Sequence, residues 1–159
     1  MKIRSYFLLL VLLGLMISVQ PYCGKLLINI SSSLPHYIYW LSPKPYDTYQ
    51  AGDKVAFILP EGIAESGRFA VKAIAGMPGD DIHHEHSKAG VSIRVNQHMI
   101  GLALPYRADG QSLTPITAGK IPPRHYFVAT KHQQSLDSRY QNIGLIPKSL
   151  IQGKAYAIF

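Results

Sequence analysis

A single cysteine in 159 residues, Cys23, excludes a disulfide framework within the chain and any zinc site built on thiolates. Charge is scarce as well: Asp, Glu, Lys and Arg make up 16% of the residues, against 47% apolar. Acid is almost missing from the end of the chain, where residues 110–159 carry six basic side chains and one acid, Asp137. No internal repeat or low-complexity run occurs, and beyond residue 24 no apolar period of 3.6 is sustained over 11 residues. Repeat arrays are thereby excluded, and a chain this short allows one domain plus one short appended element. Two serine-enzyme signatures are also lacking, the Gly-x-Ser-x-Gly elbow and the Ser-x-x-Lys pair. Gly76 and Gly79 precede no helix start of the Lys-Ser or Lys-Thr kind, so they read as turn residues and not as phosphate binders.

What is there begins at the front. Met1-Lys2-Ile3-Arg4-Ser5 carries two positive charges, and Tyr6 to Val19 is uncharged and almost wholly apolar. Basic residues before an apolar run are retained in the cytoplasm. The run is short for a span, but carried through to Gly24 it reaches about the 17 to 20 residues required. Ser18-Val19-Gln20 and Pro21-Tyr22-Cys23 supply poor cleavage sites, so residues 1–24 are expected to be an uncleaved signal anchor, one transmembrane helix. Residues 25–159 are then expected on the far side of a bacterial inner membrane, in the periplasm. Gln20-Pro21-Tyr22 lacks the small residues of a lipidation signal, which leaves Cys23 as a thiol at the membrane boundary.

The remainder carries strand signals. Val55, Phe57 and Leu59 alternate after the Gly52-Asp53 turn; Val91, Ile93 and Val95 alternate into Asn96-Gln97-His98, a predicted hairpin turn leading to 99–104. Tyr126 to Thr130 and Ala155 to Phe159 are two more β-rich runs, and 13 Gly and 11 Pro punctuate the whole. The expected fold is mainly β, an antiparallel domain with long loops behind one N-terminal transmembrane helix. Of the net charge of +7, Lys2 and Arg4 set topology, and the rest sits in the last third, in Lys120, Arg124, Lys131, Arg139, Lys148 and Lys154. No aromatic interleaving of an RNA-binding sheet accompanies them, so the expected partner is anionic lipid of the bilayer and no nucleic acid.

Two features carry chemistry. Asn29-Ile30-Ser31-Ser32-Ser33-Leu34-Pro35 follows the anchor closely, and Lys72 is the one charged residue in the apolar run Phe69-Ala70-Val71-Lys72-Ala73-Ile74-Ala75. A serine run by itself is most often a loop, and a strand lysine most often snorkels from an edge. Here both flanks of Lys72 are apolar, which points to a desolvated ammonium. An ordinary lysine, with a pKa near 10.4, offers free amine in roughly one molecule in a few thousand at neutral pH. Burial lowers that pKa and makes the neutral amine a competent acceptor of a serine proton, the serine/lysine variant of the serine-protease solution.

Ser33-Leu34-Pro35 behind an anchor, Gly52-Asp53-Lys54-Val55-Ala56-Phe57, Lys72 to Asp80 ending in Gly76-Met77-Pro78-Gly79-Asp80, and Ser135-Leu136-Asp137-Ser138-Arg139-Tyr140 with Gly144 beyond resemble, in order, the boxes of type I signal peptidases. The form Asn29-x-Ser31-x-Ser33-Leu34-Pro35 with Tyr39-Trp40 soon after is closer to the TraF-type peptidases of conjugation systems. The resemblance implies a membrane-anchored serine endopeptidase with Ser33 as nucleophile and Lys72 as general base. It implies that the Ser31 hydroxyl and the Ser33 backbone N–H form the oxyanion hole, that Ser135 orients the amine, and that Asp137 and Arg139 form a supporting ion pair. It also implies a membrane-associated precursor as substrate, either a conjugative pilin, with cyclisation as one route of release, or a general secretory preprotein. Leu34, Tyr37 and Tyr39 are the expected substrate-binding residues. Two departures stand out: Tyr37 occupies a position where the TraF pattern has Gly, and Thr130-Lys131-His132-Gln133-Gln134 replaces a Gly-Asp-Asn segment. Neither is expected to touch the dyad.

His83-His84-Glu85-His86 invites a metal reading, but three histidines in four residues cannot face one ion from a regular strand, and a solvated loop is expected. No metal and no cofactor are expected. Seven histidines leave a Ser-His-Asp triad open on composition alone, although no motif assigns one. A third class also stays open, an anchored β module without catalysis that serves a conjugation or secretion apparatus.

Overall fold

The computed structural model describes residues 24–28, 34–42, 48–61 and 67–158. The expected anchor lies outside them; among the described residues no helix is long and apolar enough to cross a membrane. They form eleven strands and one 3-10 turn: β1 (Lys25–Ile28), β2 (Ile38–Leu41), β3 (Lys54–Ile58), β4 (Phe69–Gly76), β5 (Asp81–Ser87), β6 (Gly90–Val95), β7 (His98–Ala103), β8 (Gly119–Lys120), β9 (His125–Ala129), β10 (Ile146–Pro147) and β11 (Ile151–Ala157), with the turn at Lys148–Leu150. They pair antiparallel in two sheets, one of order β1-β2-β11-β3-β4-β9-β10 and one of order β7-β6-β5-β8. The fold is mainly β and antiparallel.

The link between the sheets is chemical in origin. Met77-Pro78-Gly79-Asp80 closes on itself through Asp80 N–H to the Met77 carbonyl at 3.0 Å, with φ of 94° at Gly79. Proline presets the second position of such a turn and glycine alone takes the positive φ of the third without strain. The Asp80 carboxylate accepts the Met77 N–H at 2.7 Å and the Asn96 side-chain amide at 2.9 Å, which locks the turn to the tip of the β6–β7 hairpin. Asn96 itself sits at φ 52°, a conformation its short polar side chain tolerates.

Three buried clusters follow from the alternation of side chains. Val55, Phe57, Ile74, Tyr126 and Val128 share one face of the large sheet. Phe127 and Ala129, on the other face of β9, join Ile82, Ile93 and Val95 of the small sheet. A smaller cluster of Tyr39, Leu41, Ala56 and Ala155 gathers Leu27, Leu34 and Val71 around it. The alternation expected for β3 gives way to burial of Val55, Ala56 and Phe57 together, because β3 lies between β11 and β4 and both its faces are covered. At the edge, Gly24 lies against β2: a Cβ there would run into the Leu41 carbonyl oxygen and the Trp40 ring, so no other residue fits without moving the strand.

One expectation is corrected. His83–His86 belongs to a strand, β5, paired residue for residue with β6 from Ile82↔Val95 to Ser87↔Gly90. The positions that share a face with Ile82 are the half-buried His84 and the exposed His86, so the apolar alternation that marks a strand is missing although the ladder is complete.

Candidate active site

Lys72 occupies the middle of β4, directly across from Val55 of β3, and is 7% exposed. Its Nζ donates to Ser135 Oγ at 2.8 Å. Burial among apolar neighbours lowers its pKa from 10.5 to about 8; the Asp137 carboxylate works against that shift and the Arg139 guanidinium adds to it. At pH 8 about half of such lysines carry the free amine, on the order of a hundred times the proportion that an ordinary lysine offers at the same pH.

The loop that brings Ser135 to Lys72 is held by polar contacts turned inward. Ser138 grips β9 twice, donating its N–H to the Val128 carbonyl at 2.9 Å and accepting the Val128 N–H on Oγ at 3.0 Å. Asp137, wholly buried, accepts Arg139 Nε at 2.8 Å on Oδ1; its Oδ2 accepts Arg139 Nη2 at 2.9 Å and the Thr130 N–H at 3.2 Å. This two-pronged pairing is the geometry that suits guanidinium and carboxylate planes. The remaining N–H groups of Arg139 reach the carbonyls of His132 (2.9 Å), Ser135 (3.1 Å) and, on β7, Leu102 (3.2 Å). Arg139 thus ties the loop to the second sheet. Gly101 makes room for it, since a Cβ there would lie 3.1 Å from Arg139 Nη1.

The structure therefore brings together Lys72, Ser135, Asp137 and Arg139, from β4 and from a loop 63 residues further along the chain. Ser31 and Ser33 lie outside the described residues. Leu34, next after Ser33, packs against the same small cluster as Val71, the residue before Lys72. Of the residues expected to bind substrate, Tyr37 is three-quarters exposed, whereas Tyr39 is fully enclosed with Leu41, Ala56 and Ala155 and its phenol pKa is raised by burial. The segment from Thr130 joins the loop through its first residue: Thr130 is buried, and its N–H is held by Asp137. The signal was present in the sequence, because Tyr126, Val128 and Thr130 alternate onto one face of a strand.

The basic last third is partly neutralised within the molecule. Lys120 pairs with Asp81 at 2.9 Å, Arg139 with Asp137, and Lys154 with Asp53 at 2.8 Å. An open cleft of about 650 Å³ lies on the small sheet, lined by His83, His84, Glu85, Arg94, Asn96 and Gln97. None of the residues around Lys72 lines it. Among the described residues no three His, Cys, Asp or Glu side chains converge as metal ligands, and the strand splits its histidines, with the rings of His84 and His86 6.2 Å apart on one face.

A buried lysine of lowered pKa, hydrogen-bonded to a serine and backed by a closed ion pair, is chemically able to accept a proton near neutral pH. Residues 2–159 match the family described as "Signal peptidase, peptidase S26", and the chain belongs to that family. Its relatives include the "Conjugal transfer protein TraF" of Agrobacterium tumefaciens, 30% identical over 95 residues, a match covering 56% of this chain and 48% of that protein. The chain thus spans about half the length of that curated relative. A crystal structure of a signal peptidase I from Enterococcus faecalis is similar at 20% identity and a TM-score of 0.43, over 68% of this chain and 97% of that one.

Proposed function

We propose that the protein is a membrane-anchored serine endopeptidase that processes a conjugative pilin precursor. The observation that carries this reading is Lys72, buried in a strand, hydrogen-bonded to Ser135 and held near a pKa of about 8. Ser33 attacks the scissile carbonyl while Lys72 takes its proton; the oxyanion is held by the Ser33 N–H and the Ser31 hydroxyl. Lys72 returns the proton to the leaving amine, and an acyl-enzyme remains on Ser33. Water, or the precursor's own amino terminus in a cyclising release, then takes the acyl group. The common packing of Leu34 and Val71 supports a short path from Ser33 to Lys72.

Inner-membrane anchorage with the domain in the periplasm rests on the basic, then apolar, first 24 residues. An exposed apolar face beside their exit adds to it: Leu26, Trp40 and Tyr156 stand in register across β1, β2 and β11, with Ile28 and Ile158 next to them. Such a face at the end of an apolar segment suits lipid better than water. The choice of a pilin over a secretory preprotein rests on the conjugal-transfer relative.

The test is coexpression of wild-type or Ser33→Ala protein with the pilin precursor, read by mass spectrometry of the precursor. Wild type should trim it and Ser33→Ala should leave it intact; equal trimming by both removes Ser33 as nucleophile. Lys72→Arg, which cannot deprotonate, should match Ser33→Ala. Trimming of secretory preproteins and not of the pilin would move the assignment to general secretion.

A further inference from the structure

Thr130, the residue after β9, is buried, and its Oγ1 has no hydrogen-bond partner among the described residues. Leaving a hydroxyl so costs stability, and the site would be better filled by valine unless the oxygen has a use. Its placement suggests one. The β4–β9 ladder pairs Ile74 with Val128 and ends on Ala73 with Ala129; that register, continued by one step, would set Thr130 beside Lys72. The faces agree, since Ile74 and Val128 share a cluster, and the next alternate positions are Lys72 and Thr130. The Thr130 backbone is fixed by the Asp137 carboxylate, the same group whose charge acts on Lys72.

We propose that Thr130 is a positioning residue for Lys72: its Oγ1 accepts a hydrogen bond from the ammonium formed when Lys72 takes a proton, alongside Ser135 Oγ. This rests on Lys72 as the base. An ammonium has three N–H donors where the neutral amine has two, so taking a proton creates the demand that an idle acceptor meets. The four rotatable bonds of the lysine stem give the amine the reach. The charged groups acting on it are Asp137, which favours the ammonium, and Arg139, which opposes it; from β3 it faces the uncharged Val55. An added acceptor favours the charged form and offsets part of the burial.

The test reads the amine itself. In the full chain in detergent micelles, with lysine labelled at 13Cε, the Lys72 resonance is followed against pH in wild type, Thr130→Val, Thr130→Ala and Thr130→Ser. Loss of the acceptor should lower the Lys72 midpoint by about one pH unit in the Val and Ala variants, and Ser should restore it. The acid limb of precursor trimming should move by the same amount. A midpoint unmoved in both Val and Ala, while Ser135→Ala shifts it, overturns the role of Thr130 and leaves Lys72 as base untouched. Wild-type trimming by Lys72→Arg would instead remove the base, and with it any part for Thr130 in the reaction.

Discussion

Two ion pairs of nearly equal length separate the halves of this molecule. Arg139 and Asp137 meet at 2.8 Å with side chains 2% and 0% exposed; Lys120 and Asp81, on the small sheet, meet at 2.9 Å at 65% and 46%. The first pair has given up its water and replaced it with backbone: Arg139 is tied to the carbonyls of Leu102, His132 and Ser135, and Asp137 to the N–H groups of Thr130 and Arg139. The second keeps its water and gains little by contact. Distance alone does not measure what a charge pair does; the cost of removing one partner does. The loop around Lys72 is built from polar groups that cannot be withdrawn singly, while the small sheet wears its charges on the outside.

The widest gap should appear when one partner is taken away. Arg139→Met leaves Asp137 buried without its cation and should cost about 3–5 kcal/mol in urea unfolding; a loss under about 1 kcal/mol would place the pair with the surface ones. Lys72 gives the next largest effect. Its folded pKa of about 8 lies below the ordinary 10.5, so between these values the unfolded chain binds more protons and stability rises with pH. The gain, at most about 3 kcal/mol, should be present in wild type and missing from Lys72→Met when both are unfolded at pH 8 and pH 10.5. A parallel pH dependence in the two proteins would mean the lysine is hydrated. Gly101→Ala presses a methyl on Arg139 from a backbone at φ 155° and should cost about 1–3 kcal/mol by the same assay. Lys120→Ala should fall below about 1 kcal/mol and vanish in high salt.

Legibility in the sequence divides along the same line. Where a strand has one wet face or is apolar throughout, its pattern is plain: β4, β6, β7 and β9 were marked by alternation or by apolar and β-rich runs, and β11 only at its end, from Ala155 on. β5 was hidden because histidines stand where its apolar residues would recur after Ile82, and β1 because Lys25-Leu26-Leu27-Ile28 continues the apolar run in front of it. For Tyr39, an aromatic beside a serine motif suggested contact with substrate, yet the register of β2 with β11 turns it inward and leaves Trp40 outside. The polar neighbours of Lys72 could be named only through resemblance, because a contact across 63 residues leaves no local period.

Gly24 has a consequence for reach. With no space for a side chain between it and β2, the chain passes into the sheet without slack. From β1 to β4 the path crosses β2, β11 and β3, four interstrand gaps of about 4.8 Å, or roughly 19 Å. The sheet thereby sets Lys72 off from β1 by a fixed span, in the manner of a gauge block.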